Sequence, residues 1–309
     1  MTVTATMWIV FAVVFGVMLL IDLGLNRKSH HVSLKEAGAW SAVWITLALL
    51  FGVAIYFTMG SARALEFFTG YVIEKSLSVD NLFVFIMIFS YFGVRGEQQA
   101  RVLKWGIIGA LIMRIVFILA GIQLLERFHL LFYLFGGLLV VTGIKMAFGG
   151  KNDTAPESNF VVRAVRRMLP VTKRTRGDWF ITRRRGTLVA SPLLVALVMV
   201  EWSDLIFALD SIPAVLAISL DPFVVITSNI FAIMGLRSLY FLLAGVMGMF
   251  VYLKYAIAFV LVFVGGKMMA GAGGWEISTP WSLAVIFVSL AAAVTASLLH
   301  GKRHDGHAA

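Results

Sequence analysis

The sequence predicts an all-α polytopic membrane protein with about nine transmembrane helices in an N-out/C-in arrangement. Three observations carry that prediction. Of the 309 residues, 60% are apolar and only 14% charged, with mean hydropathy +0.93. No soluble domain hides that much apolar surface. Apolar runs long enough to cross a bilayer, which takes ~20 residues, recur along the whole chain. Lys and Arg crowd into alternate connections between those runs, the bias that sets membrane orientation.

Taken in order, the expected spans are about 5–25, 38–58, 68–92, 103–124, 128–148, 188–212, 222–246, 250–270 and 281–299. No basic residue precedes the first run (Met7 to Leu25), so it is expected to be a retained helix rather than a cleaved signal. Arg27, Lys28 and Lys35 follow the first span, and Arg95, Arg101 and Lys104 follow the third. Lys254 lies between the seventh and eighth, and Lys302 and Arg303 follow the ninth. The opposite side carries only Arg63 and Arg127 among acids such as Glu66, Glu126, Asp221 and Glu276. The N-terminus is therefore expected outside and the C-terminus inside.

Residues 149–187 form a basic cytoplasmic loop that includes Arg163, Arg166, Arg167, Arg183, Arg184 and Arg185. Within it, 160–169 has the pattern of a short amphipathic helix on anionic lipid, and a plain positive-inside loop explains the same charges. The loop is a candidate dock for a protein partner. The charge of +10 needs no nucleic acid to explain it. The absence of cysteine excludes disulfides, thiolate metal sites and thiol redox chemistry.

Charges inside the spans are the informative exception. An acid at the bilayer centre costs roughly 2.5–3.5 kcal/mol on insertion scales, so those kept there mark function. Glu74, Asp80, Glu201, Asp204 and Asp210 are deep, as are Lys75, Arg114 and Arg237. Asp22, Lys145 and Lys267 fall near helix ends, where they are expected to reach water.

These charges recur. Glu74 and Asp80 match Asp204 and Asp210 at the same spacing, Arg114 matches Arg237, and Gly143-Ile144-Lys145-Met146 matches Gly265-Gly266-Lys267-Met268. The expected spans three to five (68–148) and six to eight (188–270) thus read as inverted three-helix repeats within one transporter domain, 1–309. Such symmetry places a substrate site near the midplane.

Positions six apart on a straight helix lie about 120° and ~9 Å apart, so a break is needed to gather all four acids. Pro213 is the expected breaker, since it cannot bond the Leu209 carbonyl. The candidate metal ligands are Glu74, Asp80, Asn81, Asp204, Asp210 and Ser211, with Ser78 as a further oxygen and Glu201 just beyond. Arg114, Arg237, Lys75 and Asp22 are the candidate charge-balancing or gating residues. Oxygen ligands suit Mg²⁺, Ca²⁺ and Mn²⁺. Sulfur from Met87, Met113, Met199 or Met234 would favour Mn²⁺, although methionine is more often a gap-filler.

The strings Glu74-Lys75-Ser76-Leu77-Ser78-Val79-Asp80-Asn81 and Glu201-Trp202-Ser203-Asp204 through Asp210-Ser211-Ile212-Pro213 resemble the TerC/Alx family of integral membrane proteins. So do Ser228 through Arg237 and Tyr252-Leu253-Lys254-Tyr255, and the resemblance covers roughly residues 8–300. It implies a bacterial inner-membrane protein, manganese export in close relatives, and a historical link to tellurium resistance. It also implies that Glu74, Asp80, Asn81, Glu201, Asp204, Asp210 and Ser211 belong to the family's acidic motifs. Tellurite itself fits poorly, because clustered carboxylates repel an oxyanion.

The expected function is a secondary transporter, not an enzyme, without a prosthetic group, that exports Mn²⁺, with protons as the coupling ion. No phosphate-binding P-loop is present. Two other functions remain open: a membrane partner that supplies metal to exported proteins or acts in tellurite or pH stress, and an intramembrane acid–base hydrolase. The likeness of the two halves disfavours the hydrolase, since an acid and a base need different surroundings.

Overall fold

The computed structural model describes residues 5–24, 33–94, 96–128, 130–148, 187–246, 252–275 and 277–305, with parts of 162–184; a few side chains inside the helices, those of Asp80 and Asp210 among them, lie outside the description. In chain order the elements are α1 (Ala5–Gly24), α2 (Leu34–Met59), α3 (Ser61–Phe92), α4 (Glu97–Arg127), α5 (Leu130–Phe148), β1 (Ile181–Arg184) and β2 (Thr187–Ala190). There follow α6 (Pro192–Leu216), α7 (Pro222–Ile233), α8 (Leu236–Val246), α9 (Leu253–Ala272) and α10 (Thr279–Asp305). Among the described residues seven helices are long and apolar enough to cross a membrane, and eight if the bent pair α7–α8 is one span. The chain is thus an all-α, polytopic membrane protein. The other expected span coincides with α3, which is 32 residues long and carries Arg63, Glu66, Glu74, Lys75 and Asp80.

The helix starts follow local chemistry. Ser33 caps α2 by accepting from the Glu36 N–H at 3.2 Å. Ser191 and Asp221 cap α6 and α7, each followed by a proline at the first helical position, where the missing N–H is not needed. Asp221 also meets Arg63, whose guanidinium holds Glu66 at 2.7 Å, and Ser219 donates to Glu66 at 2.6 Å. That network ties the start of α3 to the start of α7.

Large apolar side chains stand outward, as on a lipid-facing wall: Leu20 is 73% exposed and Phe57 80%. Inside, α3 lies against α2, α6 and α7, α4 against α6 and α7, and α5 against α9. An aromatic cluster fastens α1 and α2 to this core, with Phe231 of α7 4.6 Å from Phe51 and also near Phe11 and Phe67. Helices α5 and α9 touch backbone to backbone. A Cβ placed on Gly265 would stand 2.5 Å from the Gly136 carbonyl oxygen, and one on Gly143 would stand 2.6 Å from that of Ala258.

Three expectations are corrected. Helix α6 runs through Pro213 to Leu216. The proline stands in the last turn, where one lost bond does not end the helix, and the Ala217 N–H closes it on the Pro213 carbonyl at 2.9 Å. The break falls instead between α7 and α8, a bend of 42° around Met234 and Gly235, with Gly235 at φ 78°. Finally, residues 181–184 pair antiparallel with 187–190, so α6 starts at Pro192 and not at 188. Much of 160–169, the expected amphipathic segment, lies outside the described residues; Val162, Arg163, Val165 and Arg167 are helical.

Gly235→Ala is expected to destabilise the protein by about 2–4 kcal/mol. The positive φ penalises any Cβ, and this one would stand 2.4 Å from Cδ1 of the Trp44 ring, a clash in a packed interior. Thermal unfolding in detergent reads the loss.

Candidate functional site

The site is built around one guanidinium. Arg114, midway along α4, is 2% exposed and reaches four side chains on three other helices. Its Nη1 donates to Glu74 Oε1 of α3, to Ser211 Oγ of α6 at 3.3 Å and to Asn229 Oδ1 of α7 at 3.3 Å. Its Nη2 donates to Asp204 Oδ1 of α6 at 3.4 Å. Ser78, one turn beyond Glu74, donates to the same Oε1 at 3.3 Å. Glu74, Ser78, Asp204, Ser211 and Asn229 are all buried.

Local sequence explains why these side chains meet. Small residues let the helices approach: a Cβ on Gly70 of α3 would stand 2.9 Å from Ser228 Oγ of α7, and one on Gly106 of α4 would stand 3.2 Å from Val200 of α6. Small-residue contacts of this kind drive helix packing in membranes. Asn229 is held in turn by its own helix, its amide donating to the Val225 carbonyl at 3.1 Å.

The electrostatics are unfinished. Two carboxylates face one guanidinium, and Glu74 Oε2, Asp204 Oδ2 and Arg114 Nε are buried with no hydrogen-bond partner among the described residues. Leaving buried charged atoms unpaired costs free energy, so a polar guest would be welcomed there. The described residues alone do not form a cage: none of them make a group of three or more Asp, Glu or His able to hold a metal ion.

The remaining expected site residues divide. Glu201 lies one turn before Asp204, is partly exposed, and packs its carboxylate onto α4; a Cβ on Gly109 would stand 2.2 Å from its Oε1. Asn81 is buried on α3 without a hydrogen bond to the Arg114 network among the described residues. The backbones of Asp80 and Asp210 are helical, and their side chains lie outside the described residues.

Arg237 does not join Arg114. It is buried against Asp22, donating to that residue's carbonyl and to Oδ1 at 3.5 Å. Asp22 was expected at the water surface and is instead 2% exposed, because its partner sits inside the bundle. Lys75 turns away from the carboxylates as well: its ammonium donates to the carbonyls of Ala232 and Met234, at 3.0 and 3.2 Å. Of the four methionines, Met87 is 56% exposed, while Met199 and Met234 are buried. Asn229 is the residue that sequence reasoning missed. Its signal is the polar string Thr227-Ser228-Asn229 inside an otherwise apolar span.

Comparison with known proteins finds relatives along nearly the whole chain. Residues 59–305 match the integral membrane protein TerC family. A membrane protein of Myxococcus xanthus is 48% identical over 297 residues, covering 96% of this chain and 93% of that one. The Escherichia coli (strain K12) protein Alx, whose name proposes a membrane-bound redox modulator, is 45% identical over 312 residues, covering 98% of this chain and 97% of its own. A membrane protein of Rickettsia felis is 40% identical over 262 residues, covering 84% and 87%. No solved structure matches the chain. On the family match and these identities, the chain belongs to the TerC family of integral membrane proteins.

Proposed function

We propose that this protein is a secondary transporter that exports a divalent cation, Mn²⁺ first among candidates, from the bacterial cytoplasm through the inner membrane. One observation carries the reading: Glu74 and Asp204, from two different helices, are buried around Arg114, and each keeps one carboxylate oxygen without a partner among the described residues. Two carboxylates against one guanidinium leave a net negative charge there when both are ionised, which a cation would offset.

In this reading α3 is the ninth span, and Asp80 and Asp210, ~9 Å further along the unbroken α3 and α6, continue the acidic path beyond the Arg114 site. Arg114 neutralises the carboxylates when no metal is held. An entering cation takes the carboxylates from it, and departure returns them. Crowded carboxylates repel one another, so proton uptake and metal release favour each other, which supplies coupling to a proton gradient.

An inverted repeat would place the site near the midplane. Under the matches of Glu74 with Asp204, Arg114 with Arg237 and Gly143 with Gly265, the contact of α3 with α7 corresponds to that of α6 with α4. The contact of Gly265 with Gly136 likewise corresponds to that of Gly143 with Ala258. These reciprocal pairs are what a pseudo-two-fold axis between the halves produces, and in an inverted repeat that axis lies in the membrane plane. The redox role in the name of the relative would have to proceed here without thiols. Altered metal supply to redox enzymes gives such a role a route compatible with export.

The test is metal content in cells. In a host without its own manganese exporter, the protein is expected to lower cell manganese, and Asp204→Asn and Asp80→Asn are expected to abolish the effect. Asparagine keeps the shape and removes the charge. If a well-inserted wild-type protein leaves every divalent metal unchanged, export is wrong and the metal-supplying membrane-partner reading takes its place.

A further inference from the structure

The break between α7 and α8 is a second polar feature within the apolar bundle, and the carboxylate site does not account for it. A helix that ends inside a membrane leaves carbonyls without N–H partners, a serious cost away from water. Here the pair bends by 42° at Met234–Gly235. The Lys75 ammonium, from α3, fills the place by donating to the Ala232 and Met234 carbonyls, residues 157 and 159 positions away. The lysine stem lies along an apolar crevice of about 270 Å³ lined by Val79, Leu239, Leu243, Leu253 and Leu290.

In broken-helix transporters, carbonyls exposed at such ends commonly coordinate a free monovalent cation. An ammonium has a single positive charge and contacts oxygen at the distances seen here, 3.0 and 3.2 Å. That spacing is wider than the roughly 2.3–2.6 Å of Ca²⁺. It suits a large, weakly hydrated ion of the kind that backbone carbonyls strip of water in potassium-selective pores.

We propose that the α7–α8 break is a monovalent-cation site whose occupant is the chain's own Lys75 ammonium. The tethered charge does permanently what a dissolved potassium-sized ion would do transiently. The intact protein therefore needs no such ion to hold the break, and removing the side chain opens a site for one. This proposal does not rest on the metal-export reading.

The experiment is thermal unfolding of purified protein in detergent, in choline, sodium and potassium chloride at equal ionic strength. Wild type is expected to unfold at one temperature in all three. Lys75→Ala is expected to unfold earlier in choline and to regain about 2–4 °C or more in potassium, with sodium between. Lys75→Gln retains N–H donors that cover the carbonyls, and is expected to be weakened without responding to potassium. Identical midpoints for Lys75→Ala in all three salts overturn the proposal, and so does an equal potassium response in Lys75→Gln or in wild type. Should Lys75→Ala not survive in choline, it is purified in parallel in choline and in potassium. Folded protein recovered in potassium alone supports the site, and failure in both overturns it.

Discussion

Replacing Arg114 with leucine is expected to lower stability by about 3–5 kcal/mol, the range for removing one partner of a buried ion pair. The arginine is 2% exposed and bonds Glu74, Asp204, Ser211 and Asn229 across four helices. Leucine fills much of the space, so the loss is electrostatic: two buried carboxylates are left facing each other. That origin makes a second result compulsory. Adding Glu74→Gln and Asp204→Asn to Arg114→Leu should restore most of the loss, because replacing every member of a buried pair is far cheaper than orphaning one. The measurement is thermal unfolding of all variants under one detergent condition. If Arg114→Leu alone is as stable as wild type, the network is not what joins these helices. If the triple variant is as weak as the single one, the loss is one of packing and not of charge.

The second large effect is expected from Gly265→Leu. A Cβ there would lie 2.5 Å from the Gly136 carbonyl oxygen, 2.9 Å from Leu139 Cβ and 3.0 Å from Val140 Cγ2. The nearest obstacle is backbone, so no rotamer change relieves it, and α5 and α9 must separate. Overpacking a core costs typically 1–3 kcal/mol where side chains can adjust, and here the expected loss reaches the top of that range or beyond. Gly266→Leu is the control one residue away, because a Cβ on Gly266 meets nothing within 4 Å. Equal behaviour of the two variants would show that α5 and α9 do not need their close approach.

Much of the fold was legible in the sequence, because membrane spans are announced by the solvent they must match. The central site was legible for a related reason: Glu74, Asp204, Arg114 and Ser211 are polar where lipid tolerates little polarity, and the structure brings these four together. What stayed hidden depended on tertiary partners. Asp22 looked like a helix-end acid until Arg237 of α8 was seen against it. Pro213 looked like the breaker, yet its place in the last turn of α6 makes it nearly harmless. The true bend at Met234–Gly235 carries only a glycine, a weak signal in a chain rich in them, and its capping lysine comes from α3. Asn229 escaped for the same reason: an amide in a helix says little until a guanidinium is found 3.3 Å away. The short strand pair was obscured by the arginines around it, which spoke for a cytoplasmic loop and said nothing of pairing between Thr182 and Val189.

The pair between Asp22 and Arg237 joins positions 215 apart in the chain. At ribosomal rates of about 5–20 residues per second, the acid emerges roughly 10–40 s before its partner is made. Until then Asp22 of α1 can meet only cations made earlier, Lys104 among them, and its buried contact with the arginine cannot form. A chain truncated before Arg237 never makes this contact. The same ion pair that helps close the mature bundle can thus form only once the chain has been made as far as α8, which puts the fastening of α1 late in assembly.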